Sequence, residues 1–349
     1  MYIQKRFTFK SMLVWTQREL IFFTGIATGF TILYELLDIK WLQVPLAPVT
    51  LVGTAVAFML GFQNNAAYDR AWEARKIWGG IVNTSRTLII TIRDSFYLHR
   101  NEASKDESET LRVITHRHIA WLTTLRYAMR TKKQWEASYG TYSGKSKFAY
   151  HIPELEEPLE GQLKPYLSEE EYAYVMKMDN KPNAIISLQS KHLRILNSEK
   201  KFWDFSLLKF QGMLEELTAL QGKSERLKNF PYPKQYASVA YNFVHLFRWL
   251  LPMAIIPTFA ALGSTISETH PTIGEFFIWF NIPITVIVTW VFNTLLRLGM
   301  AGENPFEGSV NDVPISNISR GITRDILQLI DEDPENIPAQ FESVNDVDM

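Results

Sequence analysis

Thr54, Phe58 and Phe62 recur every four residues, so on a helix they stack along one face. That spacing suits a packing stripe, and it equally suits a hydrophobic constriction. Gly61 and the amides Gln63, Asn64 and Asn65 follow at once, so the chain passes from an apolar to an amide-rich setting. A constriction opening into a polar vestibule, with Asn64 and Asn65 lining it, has that order. Aromatic rings there can gate by dewetting, and their positive edges can face an anion. Other candidates for chemistry are weaker. His116 and His118 are two apart, which places them on different helix faces and argues against a metal pair. No Ser–His–Asp set, H-E-x-x-H or Gly-rich phosphate loop occurs, so no enzyme is expected and no cofactor or metal is assigned. Glu154, Glu156, Glu157 and Glu160 read as a solvated acidic loop. Asp69, Arg70, Glu73, Arg75 and Lys76 suit an ion path or, more simply, salt bridges that fix their helix, with Trp72 and Trp78 buried beside them. Gly79 and Gly80 would allow a close helix approach.

The elements that position the stripe are apolar helices. Val44–Asn65 carries no charge and is roughly 20 residues long, about 30 Å as a helix, the thickness of a bilayer core. Leu20–Tyr34, Val239–Gly263 (with Arg248 inside it) and Phe276–Leu296 are the other apolar segments. Four spans are therefore expected, in the cell membrane. Lys and Arg cluster before the first, after the second, before the third and after the fourth, which places both termini and the middle region in the cytoplasm. The apolar start follows Lys5, Arg6, Lys10 and Arg18 without a small-residue cleavage site, unlike a signal peptide. Pro252, Pro257 and Pro283 interrupt the spans and call for a packed bundle or oligomer to satisfy the freed carbonyls.

The whole chain has 349 residues, 46% hydrophobic and 21% charged, and its middle region, Asp69–Pro233, reads as helical and polar. Breaks are expected at His99–Thr110, Tyr139–Lys147 and Pro153–Pro165, and the acidic tail after Ile330 reads as extended or disordered. A net charge of −1 gives no case for nucleic acid, and the absence of cysteine excludes disulfides and thiolate chemistry. Phe202, Trp203, Phe205, Leu208 and Phe210 form an aromatic stretch. It suits a core, while Phe205 and Leu208 share a face that suits a second narrowing.

Leu60–Arg86 (LGFQNNAAYDRAWEARKIWGGIVNTSR) resembles the bestrophin family in its bacterial branch. Gly222–Ala237 (GKSERLKNFPYPKQYA) and Gly302–Pro314 (GENPFEGSVNDVP) are similar to the family's segments entering the third span and following the last. The resemblance implies one all-α channel domain over 1–349: transmembrane helices at 20–66 and 237–300, a large cytoplasmic helical region at 67–236, and a cytoplasmic segment at 301–349. It implies a homopentamer around one axial pore, in a lipid bilayer, passing small monovalent ions. The neck falls at Thr54, Phe58 and Phe62, and a cytoplasmic aperture at Leu208, with Phe205 second. Chloride is the leading ion. A monovalent cation channel of the same fold and a membrane-anchored scaffold are the alternatives. Animal members hold calcium on an acidic run after Asn-Pro-Phe. Here Asn304-Pro305-Phe306 is followed by only Glu307 and Asp312 as carboxylates, a poor hard-cation cage.

Overall fold

The computed structural model describes residues 1–3, 5–96, 104–136 and 150–349. They are all-helical, with two isolated β-bridges near the termini. In chain order the α-helices are α1 (Phe9–Trp15), α2 (Gln17–Glu35), α3 (Leu46–Phe96), α4 (Lys105–Arg130), α5 (Pro153–Glu156), α6 (Leu159–Leu163) and α7 (Glu169–Lys177). There follow α8 (Lys181–Ser198), α9 (Asp204–Asn229), α10 (Lys234–Ser267), α11 (Pro271–Phe276), α12 (Asn281–Gly302) and α13 (Ile315–Leu329). They divide into two compact units. One is Gln4–Asp69 with Tyr232–Glu303; the other is Met1–Ile3, Arg70–Pro231 and Asn304–Met349.

The first unit is the apolar one. Val49, Val56 and Leu60 of α3 pack on Val244, Phe247 and Leu251 of α10 and Leu296 of α12. Gly53 permits this approach, since a Cβ there would stand 2.8 Å from the Phe247 ring. Where α10 turns back into α11, Gly274 lies against backbone: an added Cβ would come within 2.5 Å of Ser267 N and 2.6 Å of Gly263 O. Among the described residues, three helical stretches are long and apolar enough to cross a membrane, Lys40–Phe96, Lys234–Ser267 and Pro271–Gly302. The 19-residue α2 is not among them, because Arg18 and Glu19 shorten its apolar run. It is tied in by polar contacts: Asn281 Nδ2 donates to Thr31 Oγ1 at 3.0 Å and Arg297 pairs with Glu19 at 2.8 Å. Pro252 and Pro257 lie inside α10, whereas Pro283 stands in the first turn of α12, where a missing N–H costs little.

The second unit is built around α4, which is buried on nearly all sides from Leu111 to Arg130. Trp78, Ile81 and Leu88 of α3, Phe210 and Leu217 of α9, and Ile322 and Ile326 of α13 close its core. Gly80 lets α9 approach, a Cβ there meeting Leu220 at 2.9 Å, while Gly79 faces open space.

Several expectations need correction here. The break placed at His99–Thr110 ends by Ser104, because Ser104 and Glu107 form a capping box that starts α4 at Lys105; residues 99–103 and the break at Tyr139–Lys147 lie outside the described residues. Pro153–Pro165 holds the short helices α5 and α6. Trp78 is buried but Trp72 is exposed. The tail after Ile330 is anchored, not free: Phe341 lies under the Arg126 and Arg320 guanidinium groups, and Val347 and Met349 are buried. Its acidic composition hid these few apolar anchors.

Candidate pore-lining site

The face of α3 that packs inward is Val49, Gly53, Val56, Leu60, Gln63 and Ala67. Thr54, Phe58 and Phe62 lie on the opposite face. Phe58 is 66% and Phe62 72% exposed within the chain. Large aromatics thus point away from their own chain, while smaller residues of α3 make the core. The packing-stripe role therefore falls to the other face of the same helix. An open groove of about 810 Å³ runs beside this exposed face, from Leu46 past Thr54, Phe58 and Phe62 to Asn65.

Asn64 and Asn65, adjacent in sequence, part company in the structure. The Asn64 amide donates to Leu60 O at 2.7 Å and to Leu295 O at 3.1 Å, tying α3 to α12. Asn65 is exposed and continues the Phe58 and Phe62 face, and exposed Asp69 follows it one turn later. Gln63, read only as polar, is buried; its Nε2 donates to Glu303 Oε1 at 2.8 Å and its side chain packs on Gly299.

In the second unit, α9 divides its aromatic stretch in the same way. Phe202 and Phe210 are core, whereas Phe205 is 80% and Leu208 69% exposed, side by side on one face. Of the charged residues following the stripe, Arg70 donates to Leu227 O and Phe230 O, and Glu73 pairs with Arg226 at 2.8 Å. Arg75 and Lys76 are exposed and make no ion pair among the described residues. His118 is buried and neutral, its pKa lowered to about 3 by burial. His116 instead approaches Glu332 at 3.7 Å.

The segment after Asn-Pro-Phe folds around Asp312. Its carboxylate accepts the backbone N–H of Phe306 at 2.8 Å, Gly308 at 2.8 Å and Val313 at 2.7 Å, and Arg130 Nη1 at 2.8 Å. Phe306 and Gly308 take positive φ, 78° and 93°, to aim those N–H groups inward. A carboxylate ringed by four N–H donors presents no lone pairs to a cation, and the described residues hold no group of three or more metal-ligating side chains. The residues present therefore do not fit calcium held as in animal members. Glu154, expected in a solvated loop, is buried here. It pairs with Arg126 at 3.0 Å, lies 3.6 Å from Arg130 Nε, and accepts Ser316 Oγ at 2.7 Å. Two arginines one helical turn apart on α4, Arg126 and Arg130, were the available signal, because buried cations demand buried partners. Beside this cluster, burial raises the Glu307 carboxyl to about 8, and the charges of Asp312 and Glu136 add to the effect. Burial also lowers the Met1 amino group to about 6.

This architecture recurs in known proteins. A bacterial bestrophin homolog from Klebsiella pneumoniae superposes with a TM-score of 0.69 at 23% identity, covering 91% of this chain and 99% of that one. The voltage-dependent anion channel-forming protein YneE of Escherichia coli K12 is 26% identical over 308 residues, 88% of this chain and 83% of the relative. The voltage-dependent anion channel-forming protein RSc3414 of Ralstonia nicotianae is 26% identical over 299 residues, 84% of this chain and 81% of the relative. The model of the bacterial and fungal bestrophin proteins matches residues 5–328, so with its apolar helices and the Asp312-centred Asn-Pro-Phe segment the chain belongs to the bestrophin family.

Proposed function

We propose that this membrane protein is an anion channel, with chloride as its principal ion, formed by five copies around one pore. The observation that carries the reading is the outward display of Phe58 and Phe62 on a helix whose other face is core. A single chain leaves these rings uncovered; symmetry copies in a closed ring would bring them together as a neck. Four spans, with α2 as the first, and cytoplasmic termini agree with the distribution of Lys and Arg. Thr54, Phe58 and Phe62 line the neck, Asn65 belongs to the vestibule below it while Asn64, expected beside it, braces α3 on α12, and Leu208 with Phe205 forms a second aperture. The names of the relatives support the anion assignment. Reconstitution of the purified protein under a chloride salt gradient tests it. The reversal potential should lie near the chloride equilibrium potential, and native mass measurement should give five copies.

One observation favours a second reading. Asp69 is exposed on the face that carries Phe58, Phe62 and Asn65. A ring of such carboxylates would select monovalent cations. A reversal potential near the cation's equilibrium value, shifted by Asp69→Asn, would establish this reading and reject the anion channel.

A further inference from the structure

Arg248 stands within the apolar stretch of α10. Its guanidinium carbon lies 4.9 Å from the Phe22 ring centre and 5.7 Å from that of Phe23, both on α2. One Nη contacts Nδ1 of His245, whose ring in turn lies 4.0 Å from that of Tyr241. No carboxylate among the described residues pairs with Arg248, and its Nε has no hydrogen-bond partner. A guanidinium carries five N–H donors, so two ring faces and one imidazole nitrogen leave most of them unmet. An arginine within a membrane segment calls for an anionic partner.

Depth identifies the partner. On α2 the polar boundary is Glu19, held by Arg297 of α12 at 2.8 Å, with both side chains partly exposed. Phe22 and Phe23 follow three and four residues later, about 4.5–6 Å along the helix. The Arg248 head is therefore only one turn inside that boundary, within reach of lipid headgroups. Arg18 is exposed, makes no ion pair among the described residues, and precedes Phe22 by four, which puts it on the face of α2 that carries the Phe22 ring under Arg248. Phe22, Tyr241 and Trp249 are exposed around them, with Trp249 and Phe22 edge to face at 6.5 Å. Amphipathic rings at this level mark a membrane interface.

We propose that Arg248 and Arg18 together bind the phosphate of an anionic glycerophospholipid, with its acyl chains against the exposed Phe22 and Trp249. A zwitterionic lipid fits less well, because Glu19, the carboxylate at this level of α2, is already held by Arg297 and so is not free to pair with an ammonium. The exposed apolar rings favour a lipid over a free phosphate ion.

The test uses the full chain in mild detergent. Retention of phosphatidylglycerol and of phosphatidylcholine is compared by native mass spectrometry, with inorganic phosphate as a competitor. Wild type should retain phosphatidylglycerol about fivefold better than phosphatidylcholine. Arg248→Gln and Arg18→Gln should each lower that retention about fivefold, the loss of about 1 kcal/mol per arginine. Arg18 is exposed, so its variant reads the site even where Arg248→Gln folds poorly. Equal retention of the two lipids, or unchanged retention in Arg18→Gln, would overturn the proposal. Displacement of the lipid by millimolar inorganic phosphate would also overturn it and assign a free-anion site.

Discussion

Truncating Phe62 to alanine tests the neck where function and stability give opposite answers. A core Phe→Ala change costs about 3–5 kcal/mol. Phe62 keeps 72% of its surface exposed within its own chain. Scaling the core penalty by the remaining buried share leaves about 1 kcal/mol. Leu60, two residues away on the same helix and fully buried, supplies the control: Leu60→Ala should cost about 2–5 kcal/mol. The functional effect should run the other way. An apolar ring that gates by dewetting becomes easier to wet when its side chains shrink. Phe62→Ala should therefore raise unitary current or open probability in planar bilayers, with pentamer yield close to wild type. Chemical unfolding in detergent and single-channel recording on Phe62→Ala, Phe58→Ala and Leu60→Ala give both readouts. A stability loss of 3 kcal/mol or more in Phe62→Ala, accompanied by unchanged current, would refute the neck assignment and make Phe62 a packing residue between subunits.

Arg130→Met should destabilise by about 3–5 kcal/mol, because it strips a cation from the buried carboxylates Asp312 and Glu154; a loss below about 1 kcal/mol in urea unfolding would contradict this account. With Asp312 occupied by N–H donors, micromolar calcium should leave conductance unchanged, and steep activation in that range would reveal ligands elsewhere. Glu307 carries a folded pKa near 8 against an ordinary 4.5, so the folded state holds the extra proton between those values. Its contribution to stability is fully present below about pH 4.5 and is lost as pH rises through 8. The slope approaches roughly 1.4 kcal/mol per pH unit at most, and Glu307→Gln should flatten it in unfolding titrations. Gly274→Ala should cost at least about 1–3 kcal/mol, since its Cβ would collide with the Ser267 and Gly263 backbone as well as with the Ser267 hydroxyl, and only the hydroxyl can swing away; a neutral result in thermal unfolding would show that the α10–α11 corner relaxes.

What the sequence alone determined is the helical, membrane-inserted character of the chain and its family. Uninterrupted apolar runs of span length and the Leu60–Arg86 motif are local properties, readable without knowing what they touch. Periodicity placed Thr54, Phe58 and Phe62 on one face, and Phe205 with Leu208 on another. It did not say which face turns inward, because an apolar face of a membrane helix can meet its own chain, lipid or another protein, and its residue types look alike in each case. The structure decided that by packing Val56 and Leu60 on α10 and α12, leaving the phenylalanines out. The charged residues were least legible. Glu154 sits in an acidic run that looks solvated, yet Arg126 and Arg130 bury it from a helix more than twenty residues earlier. Asn64 and Asn65 are identical neighbours, yet one ties α3 to α12 and the other faces open space. In each case the free energy depends on partners distant in sequence, since burying a charge or an amide is tolerable only beside its complement, and only the tertiary fold brings the two together.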